Sequence, residues 1–318
     1  MACAVSIIIP VFNGEKYIKE CLDSVMAQTL RQIEVVIVDD GSTDQTPEIL
    51  TEYAAAYPEK VKVITKSNGG QGSARNLALL HCSGEYVGYV DADDSISAEM
   101  FERMYQTAKS GEYDLVTCDW NIVEGRKKKI NIFGEYATPK DMYKGVNVVP
   151  WNKLIKRETL LHSGVQFPEG YIYEDTAWFI ELLAFIKTAA HIPRPFINHR
   201  VWSGSTMGAK QNARAAQIFP VMNHIVEFYK NKGIFEEYKI YVEYFYVKVL
   251  LCSSLQRIAK VGDRKLRKQL SARTLSEIKT NFPQYKKNPC LKGVIGLYIK
   301  NVNRFTIKFF VFVFRVFC

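Results

Sequence analysis

Apolar runs rich in Val and Ile alternate with amphipathic stretches through the first 120 residues. Val5–Pro10 predicts a buried strand. Glu15–Gln28, with Ile18, Leu22, Val25 and Met26 at helical spacing, predicts the helix after it. The alternation repeats, with strands at Ile33–Val38, Val61–Thr65, Tyr86–Val90 and Leu115–Cys118 and helices at Asp44–Ala56, Gly72–Leu80 and Ala98–Lys109. Strand and helix in turn predict an α/β fold with a mostly parallel central sheet and helices on both faces. Ligands of such sheets bind beyond the carboxyl ends of the strands, so the polar residues after each strand are the ones to read for chemistry.

Downstream the pattern changes. Residues 121–200 are irregular: Arg126–Lys129 reads as a solvated basic turn, Glu174–Ile186 as a helix, and Pro193 and Pro195 as breakers of regular structure. Ala209–Val261 is helical and rich in Tyr and Phe, and Lys265–Lys287 is basic with few acids. Gly293–Cys318 is apolar with spaced cations. Its Lys300, Arg304, Lys308 and Arg315 fall in one stripe about 80° wide on a continuous helix. Such a helix is expected to lie in a membrane interface, cations toward lipid phosphates; the bland alternative is a terminal helix docked on the core. Residues 1–207 are expected to form one domain and 208–318 a helical region ending in this tail.

Composition narrows the class. At 318 residues, 47% hydrophobic and 24% charged, the chain is an ordinary globular protein of about two domains. No run of 18 uncharged apolar residues is present, which disfavours a spanning helix. The N-terminal MACAVSIIIPVF reads as a buried strand and not as a signal peptide. Seven Cys without a CxxC pair argue against a zinc ribbon or disulfide scaffold and for a reducing compartment. The net charge of +9 conceals an asymmetry: residues 1–100 carry net −8 and residues 201–318 net +15. The basic end could attract nucleic acid or anionic lipid, but no nucleic-acid recognition motif accompanies it, and no nucleic-acid partner is expected.

The strand ends carry the chemistry. The first strand runs into Pro10-Val11-Phe12-Asn13, the second into Asp39-Asp40-Gly41-Ser42, the third toward Asn68–Asn76 (NGGQGSARN), and the fourth into Asp91-Ala92-Asp93-Asp94. In the last of these, one acid can hold a divalent metal while the other faces a sugar hydroxyl, since a hard cation on one or two carboxylates keeps positions open for phosphate oxygens; the alternative is a plain turn after a strand, where Asp is common. Asn68–Asn76 opens a helix with glycines that admit close backbone approach, and its Arg75 adds a charged donor. It is neither GxGxxG nor GxxxxGK[ST], so dinucleotide and P-loop readings fail.

Taken together, VSIIIPVFNGEKYIKECLDSVMAQT, VVIVDDGSTD, NGGQGSARN and YVDADD resemble a family 2 glycosyltransferase of the GT-A fold, of the bacterial surface-polysaccharide type. The resemblance is dense over Val5–Ser95 and continues loosely through WNKLIKRETL and FPEGYIYEDTAWF to about Met207. It implies a nucleotide-sugar donor, usually a UDP-sugar, with Pro10, Val11 and Asn13 lining the nucleotide pocket. Asp40 would bond the uracil. Gly70 and Arg75 would sit near ribose and diphosphate, Asp91 by the ribose, Ala92 in the nucleotide-sugar site, and Asp93 on Mn²⁺ or Mg²⁺. The family's ED pair matches Glu174-Asp175: Asp175 is expected as the base that takes the acceptor proton in an inverting transfer, and Glu174 as its orienting neighbour. Without the family match, Asp175 would read as a helix cap.

His199-Arg200-Val201-Trp202-Ser203-Gly204-Ser205 resembles the family's Arg-then-SGS element, which makes Arg200, Ser203 and Ser205 candidates for a loop that closes over phosphate or acceptor. Trp151 and Trp202 could stack on acceptor sugars or simply pack, and Lys153 could reach solvent or acceptor. The whole reading is an inverting, metal-dependent transferase at the cytoplasmic face of the membrane, acting on a saccharide or lipid-linked glycan. Two rivals stand beside it. A sugar-1-phosphate nucleotidyltransferase would carry a glycine-rich basic loop after the first strand, where PVFNGE stands. A non-catalytic nucleotide-sugar-binding partner subunit would not need both Asp93 and Asp175.

Overall fold

The computed structural model describes residues 3–317 apart from 126, 133, 135, 146 and 203–213. They form two compact units. The first comprises the chain to residue 139 with 147–170 and 174–202, and the second comprises 140–146, 171–173 and the chain from 203.

The first unit is built on a nine-stranded sheet. Strands β1 (Val5–Val11), β2 (Ile33–Asp39), β3 (Val61–Thr65) and β4 (Tyr86–Tyr89) pair in parallel in the order β3-β2-β1-β4. Their crossovers carry helices α1 (Ile18–Met26), α2 (Thr46–Ala56) and α3 (Gly70–Leu79). β1 is buried at every position and β2 at all but one, which is why both read as continuous apolar runs and not as alternating ones.

Beyond β4 the sheet becomes mixed. β5 (Ser95–Ile96), α4 (Met100–Ser110), β6 (Leu115–Glu124), β7 (Lys127–Asn131), α5 (Pro139–Met142), β8 (Lys153–Lys156), α6 (Arg157–Ser163), α7 (Glu174–Leu182) and β9 (Ala189–Arg200) follow in sequence. The sheet continues β4-β8-β6-β9-β5, with β7 on β6. β8 runs antiparallel to both β4 and β6, β5 runs antiparallel to β9, and β6 and β9 are parallel.

Two expectations are overturned here. Lys127–Lys129 lies in a strand that forms a hairpin with β6, not in a turn. Pro193 and Pro195 lie inside a 12-residue strand. Ile192 stands opposite Cys118 and Pro195 opposite Asp119, so the register slips between them. Proline donates no backbone N–H, and a slip in the ladder is where a strand tolerates it.

The second unit is helical: α8 (Ile218–Asn231), α9 (Phe235–Val249), α10 (Leu255–Ala259), α11 (Arg264–Asn281), α12 (Gly293–Asn301) and α13 (Thr306–Phe317), with a π-helical turn at Leu250–Ser254. The Asp263 carboxylate caps α11 by accepting from the Lys265 and Leu266 backbone N–H groups. The expected single tail helix is two. Asn303 accepts from the Phe305 N–H at 2.8 Å and the Thr306 N–H at 3.2 Å, and so starts a new helix after Asn301. Lys300 therefore belongs to α12, Arg304 to the connection, and Lys308 and Arg315 to α13. Buried Ile307 and Val311 anchor α13, while Phe305, Phe309 and Phe312 stay exposed. Among the described residues no helix is long and apolar enough to cross a membrane.

Candidate active site

The loops after β1 and β2 are tied together. Asn13, at φ +50°, accepts from the Thr43 N–H at 2.8 Å through Oδ1, and its own N–H donates to Ser42 Oγ at 2.9 Å. Pro10 and Val11 form the buried end of β1. Asp40, almost fully buried, accepts from Lys66 Nζ at 2.7 Å and from the Gly69 and Gly70 N–H groups at 2.9 and 2.7 Å. It thereby fixes the start of α3, where Gly70 takes φ +87° in open space. A carboxylate has about four lone-pair sites, so three donors leave Asp40 room for one more.

Arg75 is the hub. Its side chain is 2% exposed, yet it donates to Asp91 Oδ1 at 2.8 Å and to Glu174 Oε1 at 3.0 Å. One guanidinium thus joins the β4 strand end to the first turn of α7. Its Cζ stands 5.3 Å over the Phe167 ring, which stacks on Trp178 at 4.4 Å and 11°, with Tyr89 edge-on to both rings. The Asn76 side chain clamps the Phe167 backbone: Nδ2 donates to the Phe167 carbonyl and Oδ1 accepts from the Phe167 N–H, each at 2.8 Å. The apolar plate seats α7, and with it Glu174 and Asp175. The close approach also explains Gly72: a Cβ there would come within 3.2 Å of Phe167 and Glu174.

The segment from Asp91 to Asp94 is a tight turn whose Asp94 N–H returns to the Asp91 carbonyl at 3.0 Å. Asp93 Oδ2 accepts from Trp202 Nε1 at 2.9 Å. Buried Asp94 pairs with His199 Nδ1 at 3.0 Å and accepts the Arg200 backbone N–H at 2.8 Å. Arg200 donates from Nε to the Asp93 carbonyl at 3.1 Å and pairs with Glu20 at 2.6 Å. The end of β9 is thereby locked onto the acid turn.

Residues 6–165 match the model of glycosyl transferase family 2, and a putative glycosyltransferase, EpsH of Bacillus subtilis (strain 168), is 30% identical over 84% of this chain and 81% of its own. The chain belongs to the family 2 glycosyltransferases. Two solved structures share its fold. S. aureus TarS 1-349 in complex with UDP-GlcNAc has TM-score 0.62 at 22% identity, over 89% of this chain and 90% of that one. The mannosyltransferase PcManGT from Pyrobaculum calidifontis in complex with GDP-Man and Mn²⁺ has TM-score 0.56 at 19% identity, over 100% and 88%. This glycosyltransferase accordingly has the GT-A fold that its first 95 residues lead one to expect.

In this candidate site of the glycosyltransferase, acids outnumber the cations that meet them. Burial pushes the Asp175 carboxyl up, against the pull of Arg75. Glu174 is raised by the same burial, opposed by Arg75 and reinforced by Asp175. Asp93 is raised by burial and by the Asp91 charge beside it. Burial takes Asp94 to about 6 even though His199 bonds to it. Burial opposes the charge on His199, but the Asp94 bond outweighs it and leaves His199 raised. Asp93, a carboxylate oxygen donor raised by the Asp91 charge beside it, is of a chemistry that fits a hard divalent cation, while Asp91 is held by Arg75. Among the described residues no three His, Cys, Asp or Glu side chains converge as a metal cage. The fit is therefore to a cation that shares its coordination with the ligand.

Other candidates are placed differently. Trp151 is 4% exposed, edge-on to Trp120 and stacked on His199 at 5.1 Å. It packs, and both of its neighbours are protein. Lys153 does not reach solvent: fully buried, its ammonium donates to the Asn147 and Val149 carbonyls at 2.8 and 2.6 Å and to Asn152 Oδ1 at 2.8 Å. Ala92 lies in the acid turn, half-buried. Ser203 and Ser205 lie outside the described residues. Sequence reasoning missed Asp94, Asn76, Lys66 and Glu20. The first two sit inside recognised motifs, DADD and NGGQGSARN, and so were findable. Lys66 and Glu20 enter the site through partners distant in sequence, Asp40 and Arg200.

Proposed function

We propose that this glycosyltransferase moves a sugar from a nucleotide-sugar, most simply a UDP-sugar, to a saccharide or lipid-linked glycan of a bacterial surface polysaccharide, with inversion at the anomeric carbon. The observation that carries this is the double ion pair of Arg75, which links the acid turn after β4 to the Glu174-Asp175 pair. The likeness to a TarS structure holding UDP-GlcNAc supports the donor class.

In this reading Pro10, Val11 and Asn13 line the nucleoside pocket, and Asp40 offers its remaining lone pair to the base. Gly70, Arg75 and Asp91 face ribose and diphosphate. Asp93 would hold Mn²⁺ or Mg²⁺, which when bound supplies Lewis-acid stabilisation of the leaving diphosphate. Asp175 takes the proton from the acceptor hydroxyl. The hydroxyl oxygen forms the new bond to the anomeric carbon on the face opposite the nucleotide, and the nucleoside diphosphate departs with the electron pair of the broken C–O bond. Glu174, fixed by Arg75, orients Asp175. We assign transfer to residues 1–207 and attachment to the cytoplasmic face of the membrane to 208–318, whose charge and exposed Phe residues suit a lipid surface.

The test is nucleotide release from a panel of UDP-, GDP- and dTDP-sugars, with and without Mn²⁺. Metal-dependent release from one donor, lost in Asp93→Ala, supports the reading. Donor binding without release, even with added glycan acceptors, would instead favour a non-catalytic partner subunit.

A further inference from the structure

The helical unit holds a groove of about 790 Å³ between α11 and α13. Seven of its fourteen lining residues are Lys or Arg and none is acidic. Arg264, Arg267 and Lys268 come from the start of α11, and Lys308 and Arg315 from α13. None of the seven lining cations forms an ion pair among the described residues; Arg267 only donates to the Val261 and Gly262 carbonyls. Elsewhere in this unit basic side chains do find acids, as Arg273 does with Glu277 at 2.9 Å. The crowding is felt within the groove, where burial and then the charges of Arg315 and Arg264 pull Arg267 below its usual range. A concentration of unpaired positive charge in a cleft is built for an anion.

The floor is apolar: Leu275, Ile307 and Val311 are buried beneath the cations. The flank of α13 settles what kind of anion. At about 100° per residue, Lys308 and Arg315 stand within roughly 20° of each other. Phe309, Phe312 and Val316 occupy the next arc of about 60°. Those three are 62%, 63% and 56% exposed, and Phe305, in the turn just before α13, is 72% exposed. The cation stripe therefore runs between the anchored face of α13 and an open apolar face. A soluble phosphate uses only the cations. A bilayer uses both, with acyl chains against the Phe face and headgroup phosphates at the depth of the groove.

We infer that the α11–α13 groove is a binding site for the phosphate headgroup of an anionic membrane lipid, with the exposed Phe face of α13 entering the acyl region beside it. This site rests on the membrane-facing reading of the tail and goes further. It names α11, outside the terminal stretch, as half of the contact, and a cleft as the place where the headgroup sits.

The experiment is co-sedimentation of the full chain with vesicles of phosphatidylcholine alone or of equal parts phosphatidylcholine and phosphatidylglycerol. Three variants are compared: the groove triple Lys268→Gln/Lys308→Gln/Arg315→Gln, the equally charged control Lys286→Gln/Lys287→Gln/Lys292→Gln, and the double Phe305→Ser/Phe309→Ser. All of these positions are exposed, so the fold is retained. The groove triple is expected to lose affinity for anionic vesicles by about tenfold or more and the control by less than about threefold; the Phe double is expected to weaken binding as well. Equal losses in triple and control would show diffuse attraction and overturn the site. Binding that survives the groove triple but is lost in the Phe double would overturn the groove and leave the membrane reading standing. No binding to either vesicle would remove both. Inorganic phosphate or a single-stranded RNA bound as tightly as the vesicles, with the same loss in the triple, would assign the groove to a soluble anion or to nucleic acid and overturn the lipid proposal.

Discussion

Arg75 concentrates the consequences of a single side chain. It is buried and compensates Asp91 and Glu174 at once, so Arg75→Ala leaves two carboxylates in a poorly hydrated place. Breaking such a pair costs about 3–5 kcal/mol, to be read from the urea midpoint, and donor binding is expected to fall with it. Arg75→Lys restores the charge but not the fork that reaches both partners, and is expected to recover less than half of the loss. Asp175 behaves oppositely. Its pKa is raised on folding, so its contribution to stability is present at acid pH and lost as pH rises through the folded value. Asp175→Asn removes a charge that the fold holds at a cost. It is expected to leave the Tm unchanged or higher while transfer falls by about 10²–10⁴ with donor affinity retained. A base works only when ionised, so the acid limb of kcat/KM is expected above the ordinary Asp value of about 4, with activity level above it. A limb at or below that value would remove Asp175 from the base role. The acids were legible as residue types in the sequence. Their shared partner was not, because an ion pair across 99 residues leaves no local trace.

At the scale of elements, β1, β2 and β4 were readable because they are buried along almost their whole length and so form mainly apolar runs, whereas the partly exposed β3 was read from Val61, Val63 and Ile64 alone. The second half of the sheet was not. Lys127–Lys129 contributes to an exposed edge hairpin whose side chains are charged, and composition marks such a strand as a turn. β9 carries two prolines that a local rule treats as breakers, and only its register slip against β6 accommodates them. The seat of α7 is likewise tertiary. Trp178 stacks on Phe167 and meets the edge of Tyr89, and truncation of a buried aromatic costs about 3–5 kcal/mol. Trp178→Ala is expected to lose that much stability by urea unfolding. Because Glu174 and Asp175 ride on the first turn of α7, kcat is expected to fall further than donor affinity, as single-turnover and donor-titration measurements would show.

Across the whole molecule charge is sorted along the chain: residues 1–100 carry net −8 and residues 201–318 net +15, and cations line a cleft in the helical unit. Sites without shared partners act independently. The groove triple is therefore expected to leave nucleotide release in solution within about twofold of the unaltered chain while vesicle binding falls. A matching loss of release would mean that the two units are coupled.

The sequence by itself determined the motif order, the α/β alternation, the family and the identity of the acids, because each of these is written in near-neighbour spacing. Only the tertiary structure decided that Asp94 locks His199 and Arg200, that Lys153 is buried beneath its own loop, and that Trp151 packs between protein rings. It also split the tail at Asn303 and brought α11 beside α13. The physical reason is the same in each case: burial and charge pairing depend on which distant surfaces meet, and one stretch of chain does not encode its partner.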